Sequence, residues 1–256
     1  MKFILSASTD IGNTKSTNQD SLYAKIVGDG EAQMVFAVLC DGMGGLENGE
    51  VASASVIHAY KIWSEERLPV LYEQGISDEI IRKEWCDIAV RCNDRIMMYA
   101  DKTASEMGTT ATVLLLTEDR YYILNVGDTR AYEIGDTWRI LTKDQTVVAR
   151  DVEEGRITAV MAEHDERRSI LLQCIGASES VWPDMFYGET RLNAVYMLCS
   201  DGFRHEVTGD EIYAYLRPDR MGNAGLMKQN ELALIALNKQ REERDNISVI
   251  TIRTFA

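Results

Sequence analysis

Residues 34–45 read MVFAVLCDGMGG. Seven apolar residues run without a polar break, and a carboxylate, Asp41, then meets a glycine-rich turn. A continuous run of this kind predicts a strand buried on both faces. A carboxylate delivered by such a strand is costly to hold unless its charge finds a partner. The glycines let the backbone bend tightly and bring a carbonyl close to whatever the carboxylate binds.

Further apolar runs rich in Val, Ile and Tyr predict strands at 3–8, 21–27, 111–117, 120–126, 130–134, 194–199 and 247–253. Two long helical stretches, about 48–73 and 77–102, lie between the third and fourth strands. In the second, Ile80, Ile81, Trp85, Ile88, Ala89, Cys92 and Ile96 recur at helical spacing, and Gly75 and Ser77 punctuate the gap as C-cap and N-cap. Helical stretches at about 208–216 and 223–242 precede the last strand. Strands in short-looped runs and helices in consecutive pairs argue for an α+β fold with antiparallel sheets. Residues 145–180 are polar, rich in Arg and Glu, and read as an insertion packed on a single domain covering 1–256. Trp63, Trp85 and Met97 read as core, Trp138 as part of a turn. Glu153, Glu154, Glu163 and Glu166 read as a solvated surface of the insertion.

The 256 residues carry 41 Asp and Glu against 27 Lys and Arg, a net charge of −14. That balance speaks against a nucleic-acid partner, which needs clustered Lys and Arg. Five cysteines, an odd count without CxxC spacing, make a disulfide framework or zinc site unexpected and fit a reducing cytoplasm. The opening MKFILSASTD turns polar too soon for a signal peptide. No apolar stretch approaches the roughly 18 residues that would span a bilayer. The expectation is a cytoplasmic protein with no membrane partner.

Asp41 is not alone. Asp201 follows the apolar run YMLCS and also precedes Gly. Asp128 sits in NVGDTR between two strands, Asp245 precedes the last strand, and Asp20 precedes the second. One Asp at a strand end is ordinarily a turn residue. Five are hard to assign to turns alone. Carboxylates without His or Cys select hard cations such as Mg²⁺, Mn²⁺ or Ca²⁺. The close alternate spacing of a Ca²⁺ loop is absent. Ligands drawn from distant strands suggest a catalytic cluster, in which two metals about 3.5–4 Å apart activate a water for displacement at phosphorus.

These residues carry a resemblance. Asn18-Gln19-Asp20, Asp41-Gly42-Met43-Gly44-Gly45, Gly108-Thr109-Thr110, Val126-Gly127-Asp128-Thr129-Arg130, Leu141-Thr142-Lys143-Asp144, Ser200-Asp201-Gly202 and Asp245-Asn246-Ile247-Ser248 stand in this order over most of the chain. In them the chain resembles the metal-dependent serine/threonine protein phosphatases of type 2C, bacterial type. The resemblance implies a four-layer αββα sandwich, two packed antiparallel sheets flanked by helix pairs. It implies two Mn²⁺ or Mg²⁺ ions, with Asp41 bridging both, the Gly42 carbonyl on one, and Asp201 and Asp245 completing the other. Asp20 would act at the edge of the site, and Asp128 matches the holder of a third, weaker metal. Residues 145–180 match the flap beside the substrate cleft. The partners implied are phosphorylated proteins, substrates of a serine/threonine kinase.

The chain departs from the family pattern at three positions. Lys15 stands where members commonly carry a phosphate-gripping Arg, and offers a point charge in place of a bidentate fork. Gln19 stands where many have Glu. Met43 takes the place of a His proposed elsewhere as general acid. No histidine is an obvious substitute: His58 lies in a helical stretch, His164 in the flap and His205 after the Asp201-Gly202 turn. Lys15 and Gln19 keep open a catalytically weak regulatory module binding metal or phosphoprotein. A phosphatase for a switch protein of the anti-sigma type shares the implied fold, but Gly108-Thr109-Thr110 and residues 145–180 favour the general type.

Overall fold

A computed structural model describes residues 1–28, 33–43 and 48–256, without the Glu163 side chain. Gly44 and Gly45 of the glycine-rich turn lie outside the described residues. The chain opens with β1 (Lys2–Asp10), β2 (Ser21–Val27) and β3 (Met34–Cys40), then α1 (Gly49–Glu66), α2 (Leu68–Gln74) and α3 (Asp78–Thr103). Strands β4 (Ala111–Leu116), β5 (Arg120–Val126), β6 (Arg130–Ile134) and β7 (Trp138–Ile140) lead to α4 (Val147–Glu153) and α5 (Ala159–Glu163). Next come β8 (Asp184–Glu189), β9 (Val195–Cys199), α6 (Asp201–Arg204), α7 (Gly209–Leu216), α8 (Ala224–Gln240) and β10 (Ile247–Phe255).

The strands form two five-stranded antiparallel sheets, ordered β1-β10-β9-β6-β7 and β2-β3-β4-β5-β8. The apolar run of β3 shows why they stack. Val35, Ala37 and Leu39 face the other sheet and meet Tyr196, Leu198, Ile250 and Ile252. Phe36, Val38 and Cys40 face the opposite way, into a core with Val56 and Trp63 of α1 and Trp85 of α3. Every residue of β3 is buried, and each large side chain so placed contributes about 1.5–3 kcal/mol. On the far side, Met197, Cys199 and Val249 pack under Phe203, Ile212, Leu216 and Leu234. Helices, sheet, sheet and helices make the four layers of an α+β sandwich.

The long helical stretch at 48–73 is two helices. Pro69 sits in the first turn of α2; it has no N–H to continue α1 and its ring clashes with the preceding turn. Ser77 caps α3 by accepting the Ile80 N–H. Trp138 lies in a short strand, not a turn, and its ring covers Gly209 and Tyr132. Met97 is half-buried, whereas Trp63 and Trp85 are core. Residues 145–180 carry α4 and α5, tied down by Val147–Ile170 and Leu172–Gln145 backbone bonds. All five cysteines are unbridged, and no helix of the described residues is long and apolar enough to cross a membrane.

Candidate metal centre

Connectivity alone brings the carboxylates to one end of the sandwich. Ser21 pairs with Cys40, Leu39 with Thr112 and Ala111 with Val126, so the start of β2, the end of β3, the start of β4 and the end of β5 share an edge. In the other sheet Cys199 pairs with both Val249 and Arg130, which aligns the end of β9 with the starts of β10 and β6. Asp20, Asp41, Asp128, Asp201 and Asp245 flank these ends.

Asp41 is fastened by its backbone. Its N–H donates to Thr110 Oγ1 at 2.9 Å, and its carbonyl accepts the Thr110 N–H and the Thr109 hydroxyl, each at 2.9 Å. Gly42 is buried, and a side chain there would stand 2.5 Å from the carbonyls of Gln19 and Gly49; only glycine fits. Asp20 takes its bearing from Asn18, whose Oδ1 accepts the Asp20 N–H at 3.1 Å. Gln19 N–H donates to Asn246 Oδ1 at 2.9 Å, which stitches the first sheet's edge to the second's. Gly202 allows α6 to press against the Asn246 carbonyl, setting Asp201 beside Asp245.

The carboxylates act on one another. Burial, and then the charges of Asp20, Asp201, Asp128 and Asp245, push Asp41 well above the carboxylate range. Burial pushes Asp20 up to about 7; nearby Ser248 and Ser200 hydroxyls oppose the shift, while Asp201 and Asp245 add to it. Neither Asp20 oxygen has a hydrogen-bond partner of normal geometry, nor does Asp201 Oδ1. Burial and Asp201 likewise raise Asp128 to about 7 against the pull of Arg204. Arg204 lies 3.7 Å from Asp128 and 3.5 Å from Asp144, which Arg130 grips with both prongs at 2.8 and 2.7 Å.

Buried carboxylate oxygens without donors, in a cluster whose members disfavour one another's charge, are the donor chemistry of a hard divalent cation. Among the described residues no three carboxylate, imidazole or thiol side chains form a ready-made cage. The fit rests on charge, burial and oxygen donors.

Lys15 stands at the rim, its Nζ 2.8 Å from Asp245 Oδ1. The Met43 methyl lies over Gly108, beside Cys174 of the 145–180 segment. His205 and Glu243 carry more than the sequence suggested. His205 Nε2 lies 3.4 Å from Asp201 Oδ2 and its Nδ1 3.5 Å from Glu243 Oε2. Burial pulls the imidazole pKa down, but Glu243 and Asp201 leave it raised overall. The i,i+4 spacing from Asp201 was a signal for His205. His58 is exposed on α1 and His164 exposed in the 145–180 segment.

Comparison with known proteins agrees with this fold. The serine/threonine protein phosphatase PstP of Mycobacterium tuberculosis is 31% identical over 248 residues, 95% of this chain. The chain spans 43% of that relative's length. The solved serine/threonine phosphatase Stp1 of Staphylococcus aureus superposes with a TM-score of 0.84 at 27% identity, covering 100% of this chain and 96% of that one. A solved PstP catalytic domain in complex with two manganese ions gives 0.77 at 26% identity, covering 100% of each chain. Residues 12–218, which hold every carboxylate of the cluster but Asp245, match the protein phosphatase 2C family, and the chain belongs to that family.

Proposed function

We propose that this chain is a metal-dependent protein phosphatase that hydrolyses phosphoserine and phosphothreonine in substrates of a serine/threonine kinase. The observation that carries this is the cluster of buried, mutually destabilising aspartates at the strand ends, with a lysine at its rim. The relatives' names as serine/threonine phosphatases, and the two manganese ions of one solved neighbour, support it.

In this reading Asp41, the Gly42 carbonyl, Asp201 and Asp245 would hold two Mn²⁺ or Mg²⁺ ions, and Asp128 would hold a weaker third. Asp20 lies at the edge of the set. Divalent ions so held supply a water activated as nucleophile and offset the charge developing at phosphorus. The protein's own part is placement. Thr109 and Thr110 keep Asp41 from turning away. Arg204 faces Asp128 and Asp144, and Arg130 grips Asp144. The Lys15 ammonium gives a phosphate monoester a point charge at the mouth. Its side chain is 25% exposed, so an incoming phosphate can reach it.

The expected activity is Mn²⁺-dependent hydrolysis of p-nitrophenyl phosphate and of phosphothreonine peptides, lost in D41A. Absence of turnover with every divalent ion tried would refute it.

A further inference from the structure

Lys15 does not stand free at the rim. It is paired with Asp245, and the charges of Asp41 and Asp201 also act on it. The loop that carries it is built onto the turn that presents Asp245. Gly12, at φ +79°, packs on the Asp245 carbonyl where no side chain fits. The Asn246 amide donates to the carbonyls of Ile11 at 2.9 Å and Thr17 at 3.2 Å. Thr14 Oγ1 donates to the Arg244 carbonyl, and Asn13 Nδ2 to that of Lys239 at 2.7 Å. Both ends and the middle of the loop are thus fastened around Asp245, and the ammonium stays within reach of it.

We infer that Lys15 is a tethered cation that competes with a divalent ion for Asp245 and passes to the substrate phosphate when the ion takes that carboxylate. The inference rests on the phosphatase reading and deepens it. An ammonium at 2.8 Å and a divalent ion draw on the same oxygen charge. Lysine ordinarily titrates near about 10.4, so it is charged at neutral pH. The ion, with twice the charge and direct coordination, prevails at Asp245. The released ammonium then faces the mouth, where a phosphate dianion can replace its lost partner. Metal and phosphate therefore reinforce each other's binding through one side chain, and the reinforcement is reciprocal.

The test is calorimetric titration of Mn²⁺ into the full chain, K15M, K15R and D41N, each with and without inorganic phosphate, with circular dichroism to establish folding. K15M should bind Mn²⁺ about two- to fivefold more tightly than wild type, the range of one partly exposed ion pair. K15R, which keeps the charge, should stay near wild type. Phosphate should tighten Mn²⁺ binding more in wild type than in K15M. Equal or weaker Mn²⁺ binding by K15M overturns the inference, as does an equal phosphate effect in both. Mn²⁺ binding that D41N abolishes and K15M leaves unchanged defeats this inference alone. No Mn²⁺ binding by wild type defeats it together with the phosphatase reading. Should K15M fail to fold, K15Q replaces it.

Discussion

His205 and Glu243 show how two side chains can steady two others, Asp201 and Asp245, that the proposed reading makes metal ligands. Glu243 Oε1 accepts the N–H groups of Arg244 at 2.7 Å and Asp245 at 2.8 Å, while its other oxygen faces His205. His205 in turn faces Asp201. One carboxylate therefore steadies the backbone of Asp245 and, through the imidazole, the side chain of Asp201. Residues behind metal ligands commonly govern affinity by about 10–100-fold. H205A and E243Q should each weaken Mn²⁺ binding on that scale, with a smaller loss in H205N, which keeps a donor. Calorimetry giving wild-type affinity for both would reduce the pair to packing. At this scale the aspartates were legible because apolar strands ending in Asp-Gly or Asp-Asn are costly as mere turns. Glu243 was not, since what it does depends on a histidine from another segment. Nor was the partner of Lys15, whose neighbour Asp245 is brought near only by the fold.

The elements that build the site are those with the plainest patterns. Strands β3, β4, β9 and β10 are buried on both faces and read directly from their runs. Strands β7 and β8 did not. Both are edge strands with exposed or half-exposed residues, and neighbours β6 and β5 set their pairing. Helix α6 is a single turn, too short for periodicity to show. Its approach to β10 depends on Gly202, where an added methyl would overlap the Asn246 carbonyl. G202A should force α6 and the start of β10 apart. Overpacking of this kind costs about 1–3 kcal/mol. The change should appear as a lower urea midpoint at an unchanged slope, together with weakened Mn²⁺ binding, because Asp201 and Asp245 lie on the two separated pieces. A midpoint equal to wild type would show that the turn can yield.

Across the whole molecule the charges divide into two sets with opposite pH behaviour. Asp144, Glu243, Asp10 and Glu211 are held below their usual ranges: burial opposes this in the first three, and basic partners prevail, while Glu211 is drawn to about 2 chiefly by Arg241. Each contributes stability that is present above its unfolded pKa and lost as pH falls through the folded one. Asp20 and Asp128, raised to about 7, and Asp41, raised further, do the reverse. They bind protons in the fold that the unfolded chain has released, so stability falls as pH rises from the ordinary carboxylate range through about 7. Lys15, Arg204 and His205 face the cluster and offset part of this, but burial dominates. The overall charge of −14 adds repulsion in the same direction. In the presence of chelator, the melting temperature should therefore drop as pH is raised from about 5 to about 8. D20N, which has no proton to lose, should flatten the drop and melt higher than wild type at the alkaline end. Mn²⁺ should restore stability most where the cluster is fully ionised, because ligand binding to the native state stabilises it in proportion to occupancy. A melting temperature that rises over this range in chelator would mean that the carboxylates are ionised and satisfied by the protein alone, leaving no charge for a cation to neutralise.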